Sequence, residues 1–124
     1  MANAVFKPIL YLKAHCPFCT KLLIFLLEAR ILDTFDVRTI VPGTDEEARV
    51  KAELASHFDA VSFPAAQLSP GKYMKDSDAL IAHFATQNNA DPSQMFVLNW
   101  YVDGPFSALG TLWQENVELK KRIS

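Results

Sequence analysis

Cys16 and Cys19 are the only cysteines of this 124-residue chain. They stand three positions apart in LKAHCPFCTKLLIFLL, Leu12 to Leu27, just before the most apolar run of the sequence. A thiolate is the nucleophile of thiol chemistry, and a free cysteine near pKa ~8.5 is mostly protonated at neutral pH, so its surroundings must favour the anion. The start of a helix does so through unpaired N–H groups and the helix dipole. Pro17 suits the first helical position, where its missing N–H is harmless, and that puts Cys16 at or beside the N-cap. Lys13 and His15 add positive charge nearby. Cys19, one turn in, faces the same side and can attack a mixed disulfide formed at Cys16. The roles that follow are Cys16 as attacking thiol and Cys19 as resolving thiol, joined reversibly by a disulfide.

Two other readings of the pair stand beside this one. A CxxC is half of a zinc site, but structural zinc takes four ligands. The chain has no second cysteine pair, and His15, His57 and His83 are not at ligand spacing. No metal is expected within one chain, whereas an iron-sulfur or other metal cluster bridging two chains escapes this argument. Two inert buried thiols are the third reading, and a proline between them at a helix start speaks against it.

The rest of the chain must position these residues. Half of it is hydrophobic and 21% charged, a globular composition. A net charge of −2 leaves no excess of cations for a nucleic-acid backbone. The longest solid apolar run, Leu22 to Leu27, falls far short of the ~20 residues of a membrane span. The start of the chain does not read as a signal peptide, because Lys7 and Pro8 interrupt its apolar part. The expectation is a cytoplasmic protein with neither nucleic acid nor membrane as partner.

Ala4 to Leu12 reads as a first strand buried on both faces, with Pro8 as an irregularity. Phe18 to Arg30 follows as a deeply packed helix, and Phe35 to Val41 as a second strand ended by Pro42 and Gly43. Thr44 with Glu47 three residues on is a capping-box pattern, so a helix is expected over Asp45 to Phe58. Val61 to Leu68 and Lys72 to Lys75 read as a hairpin turned at Pro70 and Gly71. Asp76 or Ser77 then caps a helix with Leu80, Ile81 and Phe84 on its apolar stripe. The order β-α-β-α-β-β-α, complete by about Gln87, implies an α/β fold with a mixed four-stranded sheet. Residues 1–87 form this domain, and 88–124 a linker and short helical C-terminal extension rather than a domain of its own. In that extension a short helix runs from Asp91 or Pro92 to Trp100, Asp103 to Pro105 break it, and Phe106, Leu109, Trp113 and Val117 line one face of a last helix.

CPFC after a strand, SFP before a strand and hairpin, and DSDALI opening a helix together resemble the glutaredoxins and the glutathione S-transferase N-terminal domain, within the thioredoxin-like superfamily. The resemblance spans about Lys7 to Ala85. It implies a glutaredoxin-type thioredoxin-like fold and glutathione as co-substrate. Cys16 matches the nucleophile that forms the mixed disulfide with glutathione, and Cys19 the resolving thiol. Pro64 matches the family's cis-proline, although the local context alone permits a trans proline opening a strand. The backbone of Phe63 would pair with the cysteinyl main chain of glutathione. Asp76 and Ser77 match the pair that receives its γ-glutamyl end, though they would also serve merely as a helix cap. Lys13 resembles the base that meets the glycine carboxylate, and Phe18 of CPFC joins the same glutathione-facing set. Glutathione carries two carboxylates and an ammonium, so a cation, a helix N-terminus and an acidic group suit it on physical grounds.

The chain also departs from the family. Its extension is longer than a small glutaredoxin's tail and too short for the transferases' helical domain, and most transferases lack a dithiol. The expected activity is therefore glutathione-dependent reduction of disulfides in proteins or small molecules. The alternatives are a non-catalytic glutathione-binding or regulatory module and a transferase-related protein. Trp100, Tyr101, Phe106, Leu112 and Trp113 are expected to pack on their own domain in a monomer, with a homodimer as the other option.

Overall fold

The computed structural model describes residues 6–123. Four strands, β1 (Ile9–Lys13), β2 (Asp36–Ile40), β3 (Ala65–Ser69) and β4 (Lys72–Lys75), form one sheet in the order β2-β1-β3-β4. β1 and β2 are parallel, while β1–β3 and β3–β4 are antiparallel. Helices α1 (Pro17–Glu28), α2 (Asp45–Ala55) and α3 (Ser77–Asn88) complete the expected β-α-β-α-β-β-α order. After it come α4 (Phe96–Tyr101), a π-helical turn (Val102–Phe106) and α5 (Ser107–Ile123).

The central position of β1 explains its composition. Leu10 and Leu12 point into a core shared with Leu22, Phe25 and Leu26 of α1 and Leu80 and Phe84 of α3. Tyr11 points the other way, towards Val50 and Leu54 of α2 and Ile40. Burying each such large apolar side chain stabilises the fold by about 1.5–3 kcal/mol. Met95 and Leu98 of the extension lie in the first of these cores. The Glu28 carboxylate of α1 also accepts the Leu98 N–H at 2.6 Å.

Several boundaries differ from the sequence reading. β1 begins at Ile9, so Phe6, Lys7 and Pro8 are not part of it; Ala4 and Val5 lie outside the described residues. Pro8 has no N–H to give to a ladder, although its carbonyl still accepts from Asp36 at 2.8 Å. β3 begins at Ala65 rather than Val61, directly after a cis Phe63–Pro64 peptide. α2 ends at Ala55, short of Phe58, whose ring instead meets Tyr73 edge-on. The capping box is shifted by one residue: Thr44 Oγ1 accepts from Glu47 N–H, but the Glu47 carboxylate reaches the N–H of Gly43.

The largest corrections lie in the extension. Asp103 to Pro105 do not end a helix; they form the π turn that joins α4 to α5. Trp100, Leu112 and Trp113 do not pack on the domain but are 69%, 61% and 66% exposed. A wider turn rotates everything that follows it, so Tyr101 and Phe106 face α1 while α5 leaves the body.

Candidate functional site

Cys16 is the N-cap of α1, with extended backbone (φ −100°, ψ 116°), and Pro17 opens the helix. The Cys19 N–H donates to Cys16 Sγ at 3.3 Å, so a donor at the helix start points at this sulfur. On its other side the Cys16 thiol lies 3.9 Å from the Phe63 carbonyl, next to buried Pro64. The strand end, the helix start and the cis-proline loop therefore converge on one half-buried sulfur. Such a sulfur can attack and be attacked.

Cys19 is placed differently. It is buried within the core of α1, and the Lys13 N–H donates to its sulfur at 3.4 Å. Burial pushes its thiol up to about 12, the neighbouring Cys16 adds to this, and the Lys13 N–H works against it. The two sulfurs are free thiols.

The remaining sequence candidates surround this pair. The Lys13 ammonium lies 4.0 Å from the Glu47 carboxylate, and that carboxyl is held below the ordinary range mainly by the Gly43 N–H. Asp76 is exposed, sits in the left-handed region (φ 77°), and makes no side-chain cap bond to α3. Ser77 is buried. Phe18 projects from the first turn of α1 and is 51% exposed. His15 is exposed at a left-handed turn position, and no hydrogen bond ties it to either sulfur.

The structure brings to the site residues that the sequence reading did not place there, although it expected Tyr101 and Phe106 to pack on the domain. The Tyr101 hydroxyl donates to the carbonyl of Pro17 at 2.8 Å, tying α4 to CPFC itself. Burial raises the Tyr101 hydroxyl above its usual pKa, and negative charge on Cys16 or Cys19 raises it further. Lys21 is buried in α1, and its ammonium is 2.6 Å from Asp78 and 4.7 Å from the centre of the Phe106 ring. Phe106 in turn meets Phe18 edge-on at 5.2 Å. A lysine inside an apolar helix and an aromatic 84 positions away carried no local signal of these contacts. Beside them lies a groove of about 680 Å³ between Pro17 and Phe18 on one side and Leu109, Leu112, Trp113 and Asn116 on the other.

Among the described residues, no group of three or more His, Cys, Asp or Glu side chains could hold a metal ion. No helix among them is long and apolar enough to cross a membrane.

Fold and site together define the class: an α/β protein of thioredoxin-like fold, with a dithiol at the start of its first helix and a cis-proline facing it. No protein-family model matches the chain, and no curated protein matches it in sequence. Solved structures do match its fold. One is a glutathione S-transferase from the Antarctic clam Laternula elliptica, at 20% identity and a TM-score of 0.54 over 68% of this chain and 36% of that one. Another is glutathione transferase Omega 3C from Trametes versicolor, at 23% identity and a TM-score of 0.50 over 68% and 34%. The chain thus spans about a third of the length of the transferases it matches.

Proposed function

We propose that the protein is a glutaredoxin-like thiol-disulfide oxidoreductase that uses glutathione to reduce disulfides in proteins or small molecules. The observation that carries this reading is the surrounding of Cys16 Sγ: a helix-start N–H at 3.3 Å, and the carbonyl before a cis-proline at 3.9 Å. The Cys16 thiolate attacks the glutathionyl sulfur of a mixed disulfide, forms a Cys16–glutathione disulfide and expels the substrate thiolate, which takes up a proton. A second glutathione thiolate then attacks the glutathionyl sulfur, releasing oxidised glutathione and restoring Cys16. Cys19 can resolve the intermediate instead, but only after losing the proton that its burial retains.

Glutathione suits the neighbourhood. In this reading Lys13 meets the glycine carboxylate, and the backbone of Phe63 pairs with the cysteinyl unit. The start of α3, with Asp76 and Ser77, receives the γ-glutamyl end, and Phe18 lies against the bound tripeptide. Because Ser77 is buried, it acts through its backbone N–H; Asp76, exposed and bonded to no helix N–H, is available to an ammonium. Residues 1–87 carry the chemistry, and 88–124 extend the same domain, since Met95 and Leu98 share its core.

A second reading, a glutathione-binding module of transferase type without exchange activity, is favoured by the transferase likeness and the high Cys19 pKa. Turnover on a glutathione mixed disulfide separates the two. Cys16→Ser abolishes it and Cys19→Ser retains part of it if the oxidoreductase reading holds. Full activity of Cys16→Ser would sink that reading, and glutathione binding without turnover in the unaltered chain would favour the second.

A further inference from the structure

Helix α5 is 17 residues long and contributes no buried residue. It exposes Leu109, Leu112, Leu119 and Ile123 at 46%, 61%, 53% and 84%. With Asn116 these residues recur at intervals of three, four, three and four. That spacing, a mean period of 3.5 residues over two heptads, is that of a two-stranded coiled-coil seam, with Trp113 and Val117 widening it on one side. Most helical stability in proteins comes from packing an amphipathic face rather than from propensity.

We propose that α5 pairs with α5 of a second copy of this chain in a short, parallel, two-stranded coiled coil. In heptad terms Leu109, Asn116 and Ile123 occupy a positions and Leu112 and Leu119 d positions. Glu115 and Arg122 then fall at g, and Trp113 and Lys120 at e. In this parallel arrangement Glu115 faces Lys120 of the other copy, so the flanking charges attract.

Asn116 argues for a second copy over an unrelated helix. It is the central residue of the seam, and its amide both donates and accepts, so the same side chain on the other copy satisfies it. An apolar partner surface would leave it buried and unpaired, which disfavours such a partner. The association also reaches the thiol site. Leu109, Leu112 and Asn116 line the groove beside Phe18, so a second α5 packed on this seam lies against that groove.

Sedimentation equilibrium of the full chain under reducing conditions, over a range of micromolar concentrations, tests the pairing. The expected mass rises with concentration towards twice 13.9 kDa. Leu119→Glu, at a position exposed in the single chain, raises the dissociation constant about tenfold or more and leaves the circular dichroism of the α/β body unchanged. Glu115→Lys also weakens the pair, and adding Lys120→Glu restores it; restoration by Arg122→Glu instead would mean an antiparallel pair and overturn the pairing of Asn116 with itself. A single-chain mass at every concentration overturns the proposal. So does a dimer that ignores both Leu119→Glu and Glu115→Lys, since its interface would lie elsewhere.

Discussion

The hydroxyl of Tyr101 donates to the carbonyl of Pro17 at 2.8 Å, so the second residue of CPFC is held by a side chain 84 positions further along the chain. The dithiol turn is therefore fixed from three directions: by its own helix, by the cis-proline loop and by α4. Removing only the hydroxyl, in Tyr101→Phe, keeps the ring against Phe106 and should cost about 1 kcal/mol. Urea unfolding measures the loss, and unchanged stability would show that the bond contributes nothing.

The two cysteines should react very differently with an alkylating agent. Cys19 is 3% exposed and holds its proton up to about pH 12, so between pH 6 and 9 it is a buried neutral thiol. Iodoacetamide should add once per folded chain, at Cys16, and a second time only after denaturation. Mass spectrometry of the peptides decides this, and early labelling of Cys19 would contradict its placement.

Stability should fall in alkali. Burial raises the Tyr11 and Tyr73 hydroxyls, and both donate to the Glu53 carboxylate, which raises them further; Tyr101 and Cys19 are raised mainly by burial. Each folded-state group holds its proton more tightly than the unfolded chain does. The stabilisation is therefore fully present below the ordinary cysteine value of 9.0 and is lost as pH rises through the raised folded values. Melting temperatures measured from pH 7 to 11 should be flat at first and then decline. Glu53→Gln removes the carboxylate's charge from Tyr11 and Tyr73 and should shift the onset of phenolate absorbance to lower pH.

The extension should loosen when one carboxylate is removed. Glu28 accepts the Leu98 N–H at 2.6 Å near the start of α4, and a hydrogen bond to a charged group contributes about 1.5–3 kcal/mol. Glu28→Ala should speed proteolytic cutting between Asn89 and Met95 while circular dichroism still reports the sheet. Cutting at the unaltered rate would assign the anchoring of α4 to Met95 and Leu98 alone.

The sequence and the structure agree most closely where local chemistry decides the outcome. Pro17 at a helix start, Thr44 as a cap and the Pro70–Gly71 turn, with Gly71 at φ 77°, each follow from one or two residues. Strand starts were harder to read. Val61 and Phe63 have strand character, yet the chain joins the sheet only after Pro64, because pairing depends on the neighbouring strand rather than on propensity. Lys21 is one charge in an apolar helix, and nothing local signals its burial, which needs Asp78 and the Phe106 ring, supplied by two distant elements. Asp103-Gly-Pro105 read as a break because proline ends most helices, but a π turn absorbs it.

That turn also acts as a phase setter. Five residues, Val102 to Phe106, occupy one wide turn, and they decide which side of α5 faces the groove beside Phe18. Deleting one of them, with return to ordinary helical spacing, would swing α5 by about 100° about its own axis and turn Trp113 out of that groove. The reactive sulfur would keep every bond it makes to α1 and to Phe63. A one-residue length change far from Cys16 could thus retarget the surface beside it without altering the chemistry of the thiol, which makes this segment the place to look when related chains differ in partner rather than in reaction.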